Sequence, residues 1–155
     1  MTKVLRAGLF TGLAGGALDF AAASIIYPLA YPGLTVMRIW QSVAEGVLGK
    51  ASYDGGLQTA LLGVGLHFFI ALCAGIVLAA VMSQVEIFVR LWPISGAVYG
   101  VSMYYFMQLV VLPLSKIGPR DPDMKSIAIG LGIHIFIFGP GSAYVASRLL
   151  RRDAT

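Results

Sequence analysis

The chain has 155 residues, 58% of them apolar and only 12% charged, and its mean hydropathy is +0.84. A soluble domain carries about 25% Asp, Glu, Lys and Arg, so this composition cannot coat a globule with polar side chains, and it excludes a soluble enzyme and a disordered tail. The net charge of +4 does not point to a nucleic-acid partner either, because the basic residues flank apolar blocks, where they meet anionic lipid headgroups and set orientation.

Four blocks are long enough for the ~20 helical residues that cross a hydrocarbon layer. Strands are a poor alternative, because a barrel needs alternating segments and these blocks are continuous. The first span, residues 7–27, follows Lys3 and Arg6. Those cations and Ala21-Ala22-Ala23 have the form of a signal peptide with its cleavage site, but Asp19 interrupts the apolar run, and the block reads as an uncleaved span. Gly8, Gly12 and Gly16 form a stripe at four-residue spacing, which lets helix backbones approach closely in lipid. Asp19 falls within the arc of that stripe and is expected to face protein. A carboxylate at this depth needs a partner or a proton, so Asp19 reads either as part of a proton or ion path or as a neutral group fixing helix register.

Residues 34–50 have a different pattern. Val36, Trp40, Val43 and Val47 repeat at helical spacing, with Arg38, Gln41, Ser42 and Glu45 opposite them. The pattern predicts an amphipathic helix that follows Tyr31-Pro32-Gly33 and takes Thr35 as its N-cap. It is expected to lie along the outer membrane surface with Trp40 at headgroup depth; packing against a partner subunit is the rival reading.

The second span, residues 57–82, carries His67 and the single cysteine, Cys73, which reads as a small buried apolar residue without a redox role. The third, residues 93–112, repeats the close-packing pattern with Gly96 and Gly100 and adds Tyr104 and Gln108. Arg120-Asp121-Pro122-Asp123 reads as a solvated turn rather than a cation site. The fourth span, residues 127–147, carries His134, a kink at Gly139-Pro140-Gly141, and the terminal cations Arg148, Arg151 and Arg152. That last cluster, at a span end, places both termini in the cytoplasm.

The second and fourth spans share a pattern. Residues Gly63 to Ile70 match Gly130 to Ile137 at an offset of 67, and Pro28-Leu29 matches Pro113-Leu114 at an offset of 85. The offsets differ by the length of the amphipathic helix. The expected fold is therefore an all-α membrane protein of four transmembrane helices, arranged as two duplicated helical hairpins of like orientation, with one interfacial amphipathic helix inserted in the first.

His67 and His134 each lie about ten residues into a span, near the depth of Asp19, and Tyr104 and Gln108 can reach the same layer. These five form an intramembrane polar cluster with three readings. The histidines bond helices together, or they form a proton relay or permeation site with Asp19, or they are axial ligands of haem b. Nothing in their spacing favours a divalent metal. HExxH, GxSxG, P-loop and dinucleotide patterns are missing from the sequence.

Gln41 to Gly49, the Gly-x-x-Gly-Gly-x-x-Asp run from Gly12 to Asp19, and Pro113-Leu114-Ser115 resemble small bacterial inner-membrane proteins of the YagU-like kind. The resemblance implies a bacterial cytoplasmic-membrane protein with a link to acid or envelope stress, and it supplies no catalytic residues.

The leading expectation is a non-enzymatic structural or accessory subunit, without cofactor, that meets lipid and assembles as a homo-oligomer or within a larger membrane complex. A small oligomeric transporter or proton-handling protein using Asp19, His67 and His134 is the alternative. A haem b electron-transfer subunit is the third.

Overall fold

The computed structural model describes residues 2–151, so Arg152 lies outside the described residues. Those residues form helices and connecting turns, with no strand among them. Four helices are long and apolar enough to cross a membrane: α1 (Lys3–Ala30), α3 (Gly56–Gln84), α5 (Trp92–Leu114) and α6 (Met124–Arg151). Between them lie α2 (Val36–Leu48) and the short α4 (Glu86–Arg90). The starts follow capping chemistry. Thr2, Thr35 and Asp123 each stand just before a helix and accept a backbone N–H from its first turn, which satisfies a donor that has no partner inside the helix.

Small residues decide how the spans meet. A Cβ added to Gly12 would sit 2.5 Å from the Ala71 carbonyl oxygen and 2.6 Å from Leu72 Cα, and Gly8 abuts Ile76 in the same way. Gly16 faces the side chains of Ala71 and Phe68. Gly96 and Gly100 lie on the backbone of α6, at Gly139-Pro140 and at His134. The glycines of both stripes are thus used to bring backbones together within one chain. α1 packs most extensively on α3, α5 on α6, and α1 on α6 through Gly15, Ser142 and Phe138. The spatial order is α3, α1, α6, α5, and α3 and α5 stand apart across a cleft.

Two segments widen to π turns, Met107–Val111 in α5 and His134–Phe138 in α6. Each ends two residues before a proline, Pro113 or Pro140. A proline ring clashes with the carbonyl four residues earlier, and a widened turn moves that carbonyl away. The break expected at Gly139-Pro140-Gly141 therefore takes the form of a π turn that begins at His134 itself.

α2 differs from expectation in the face it buries. Trp40, Gln41, Ala44 and Glu45 are buried, while Val36, Met37, Val47 and Leu48 are exposed. Trp40 is not at headgroup level. It is 4% exposed, stacks on Phe20 with ring centroids 4.2 Å apart, and donates its indole N–H to Ser24 Oγ at 3.2 Å. Two polar residues expected on the outer side turn inward because partners await them. The Gln41 amide donates to the Gly56 carbonyl and Thr59 Oγ1, and Glu45 accepts from Tyr53 and Arg120. Replacing Trp40 with alanine removes the centre of a cluster that includes Phe20, Ala23, Tyr27, Ala60 and Val64. The expected loss is about 3–5 kcal/mol, measurable as a lowered midpoint in denaturation of the detergent-solubilised protein.

Cys73 is exposed on the outer side of α3 rather than buried. The buried face of that helix runs through Ala71, Ala74, Gly75 and Leu78, and position 73 falls off it. Arg148 and Arg151 are exposed at the end of α6. The Arg151 guanidinium donates to the Val89 carbonyl at 2.6 Å, which ties α6 to α4.

Candidate functional site: a polar cavity between α3 and α5

Asp19, His67, His134, Tyr104 and Gln108 come from four different spans, and all five line one cavity of about 400 Å³ in the cleft. That volume lies within the range of small-molecule sites. Apolar walls of Leu66, Ile70, Met103, Met107 and Val111 surround the polar groups. The two π turns lie on this lining and carry Gln108 and His134, in keeping with the tendency of such turns to mark functional positions.

Asp19 and His67 face one another, with Asp19 Oδ2 3.9 Å from His67 Nδ1 and both side chains about 15% exposed, at 16% and 14%. The other imidazole nitrogen, Nε2, lies 2.9 Å from the Gly16 carbonyl oxygen. A carbonyl only accepts, so Nε2 carries a hydrogen. In a neutral ring Nδ1 is then an acceptor turned toward a carboxyl group. Two acceptors facing one another repel, so the pair is at ease when it holds one further proton, on the carboxyl group or on Nδ1. His67 is also wedged between aromatic rings, Trp40 at 5.2 Å and Phe68 at 5.2 Å, both edge-on. This packing fixes the ring plane.

His134 is held in a related way. Its Nδ1 lies 2.9 Å from the Gly130 carbonyl oxygen, one turn back, so Nδ1 donates and Nε2 remains for other partners. Tyr104 packs edge-on against it at 5.7 Å. Gly130 leaves room for Tyr104, since a Cβ there would lie 2.7 Å from that ring and 3.3 Å from the Tyr27 hydroxyl. Among the described residues no three His, Cys, Asp or Glu side chains gather as a metal site.

One end of the cavity is covered by α2 and by the segment between α5 and α6. The Lys116 N–H donates to the Gly46 carbonyl at 2.9 Å, and the Arg120 guanidinium meets Glu45 at 2.5 Å. Glu45 also accepts from the Tyr53 hydroxyl at 2.9 Å. Burial and the adjacent carboxylate push the Tyr53 phenol above its ordinary range. Nothing in the sequence pattern linked Glu45 to Arg120, which are 75 positions apart. The same segment holds Asp123, which accepts from the Ser126 N–H at 2.9 Å and from the Tyr31 hydroxyl at 2.9 Å. The turn expected to be merely solvated thus ties α1 and α2 to α6.

Those hydrogen bonds, the Ser126 N–H foremost, hold the Asp123 carboxyl below its ordinary value of 3.8. A lowered carboxyl pKa stabilises the fold above the unfolded value, and the effect is lost as pH falls through the folded value. Asp123→Ala should lower the melting temperature at neutral pH. The gap from wild type should close as melts are run below pH 3.8.

No protein-family model, curated protein or solved structure matches the chain.

Proposed function

We propose that the chain is a small proton-handling transport protein of the bacterial cytoplasmic membrane, in which Asp19 and His67 carry a proton that is exchanged as solute enters the cavity. The observation that carries this reading is the facing pair itself: a carboxyl group and an imidazole 3.9 Å apart, with the far side of the ring fixed by the Gly16 carbonyl. Merely structural polar groups inside a bundle are usually satisfied by one another. This pair lines a cavity instead, which is the setting in which intramembrane ionisable groups serve ion and proton paths. His134, Tyr104 and Gln108 supply the remaining polar contacts, and no covalent chemistry is assigned to any of them.

The two hairpins, α1 with α3 and α5 with α6, belong to this proposal as duplicated units. In support, each places a glycine of its first helix against the histidine of its second, Gly16 at His67 and Gly100 at His134. α2 would then be an insertion in the first unit that closes the outer end, with both termini cytoplasmic.

The test is proton movement into liposomes carrying the purified chain alone, followed with an entrapped pH-sensitive dye under an imposed gradient. Proton entry above that of protein-free liposomes is expected. Entry equal to the protein-free rate would overturn the proposal and return the chain to an accessory role in a membrane assembly. That role loses some of its motive here, because the glycine stripes that suggested assembly face neighbours within the chain.

A further inference from the structure

Beside the polar cavity the cleft holds a second, apolar hollow of about 330 Å³, walled by Val77 and Val81 of α3, Ile87 and Phe88 of α4, and Ile94 and Val98 of α5. The two hollows lie between the same pair of helices and meet where Ser102 lines one and its neighbour Met103 the other. Both ends of the cleft are bridged. α4 connects α3 to α5 at one end, and α2 with the 115–123 segment crosses at the other. The remaining opening is sideways, toward lipid, where Val77, Ile94 and Val98 are each about 60% exposed, at 59%, 63% and 61%.

The charges in the polar half are unequal. Asp19 is the only acidic residue lining it, and the only Lys or Arg there, Arg120, is taken up by Glu45 at the covered end. A ligand drawn from the bilayer therefore meets a carboxyl group flanked by the Tyr27 and Tyr104 rings, whose faces also attract cations. Behind that head position an apolar trough runs along α5 from Met103 back to Ile94, about 13 Å at 1.5 Å per residue. From this juxtaposition we infer that the cleft binds an amphiphilic organic cation, with its ammonium head at Asp19 and its alkyl tail along Val98 and Ile94, admitted laterally from the membrane. The inference names the solute class for the transport reading above and rests on it for the role of Asp19.

Calorimetric titration of the protein in nanodiscs, with empty nanodiscs subtracted, tests this directly. Dodecyltrimethylammonium should bind saturably at one per chain, and about tenfold or more tighter than either tetramethylammonium, which lacks the tail, or dodecyl sulfate, which reverses the charge. Asp19→Asn should weaken the long-chain cation about tenfold or more by removing the counter-charge. Val98→Trp, at an exposed position away from Asp19, should weaken it by filling the trough while leaving tetramethylammonium unchanged, and Ile94→Trp repeats that test at a second site.

Equal binding of dodecyl sulfate, or unchanged binding in Asp19→Asn, would mean that the trough holds annular lipid only and would overturn the inference. Proton entry in the liposome assay without saturable cation binding would overturn the solute class and leave the proton pair standing. Cation binding without proton entry would do the reverse.

Discussion

Asp19→Asn should reduce proton entry into liposomes to the protein-free rate while leaving the helical content and melting of the protein unchanged. Asparagine has nearly the shape of aspartate and keeps a hydrogen-bonding oxygen, but its amide does not take up or release a proton in the accessible range. His67→Gln should have the same effect for a complementary reason. A glutamine amide N–H can still donate toward the Gly16 carbonyl, so the packing of α1 on α3 survives, yet no ionisable nitrogen faces Asp19. The double variant should be no worse than either single one, because the two residues act on the same proton. Full proton entry in Asp19→Asn would show that the conducted proton does not pass through this pair.

Gly12→Leu should prevent folding. The obstacle at Gly12 is backbone, with Ala71 O and Leu72 Cα within 2.6 Å of an added Cβ, and backbone cannot swing aside as a flexible side chain does. Overpacking a compliant core costs about 1–3 kcal/mol, with larger penalties where neighbours cannot yield. Here the α1–α3 pair, the most extensive packing in the molecule, would have to separate along its length. Gly65→Leu is the matched control, since nothing lies within 4 Å of a Cβ at that position. The expected result is aggregated or degraded Gly12→Leu protein alongside normally recovered Gly65→Leu. Normal melting of Gly12→Leu would mean that α1 and α3 are not in the contact described.

The long spans were legible in the sequence because transfer into hydrocarbon is a strong and nearly additive signal. Each helix nevertheless runs past the expected apolar block, as α1 does to Lys3 and Ala30 against an expected 7–27. Hydropathy marks the hydrocarbon, whereas helical hydrogen bonding continues through polar residues into the headgroups. The five polar residues of the cavity were also legible, since an ionisable group inside a span stands out against its neighbours. Their common cavity was not, because periodicity gives the face of one helix and says nothing about which helix stands opposite. α2 shows the same limit from the other side. Its pattern gave a helix with the right cap, but burial of Gln41 and Glu45 depended on Gly56, Thr59, Tyr53 and Arg120, contacts that no local period encodes. The π turns left no trace beyond the prolines that follow them.

The widened turn at His134–Phe138 makes the length of α6 as binding as its composition. Deleting one residue there would let the turn relax to an ordinary helix and rotate everything beyond it by about 100° with a 1.5 Å draw toward the start. Ser142, Ala143 and Ala146, now buried, would swing out of their packing, and the Arg151 tie to Val89 would be carried off its carbonyl. An apolar stretch of a membrane protein ordinarily tolerates changes of letter better than changes of count. In this helix a single-residue deletion is a change of address for half the span, so shortening within 134–138 should be far less tolerated than conservative replacement at the same sites.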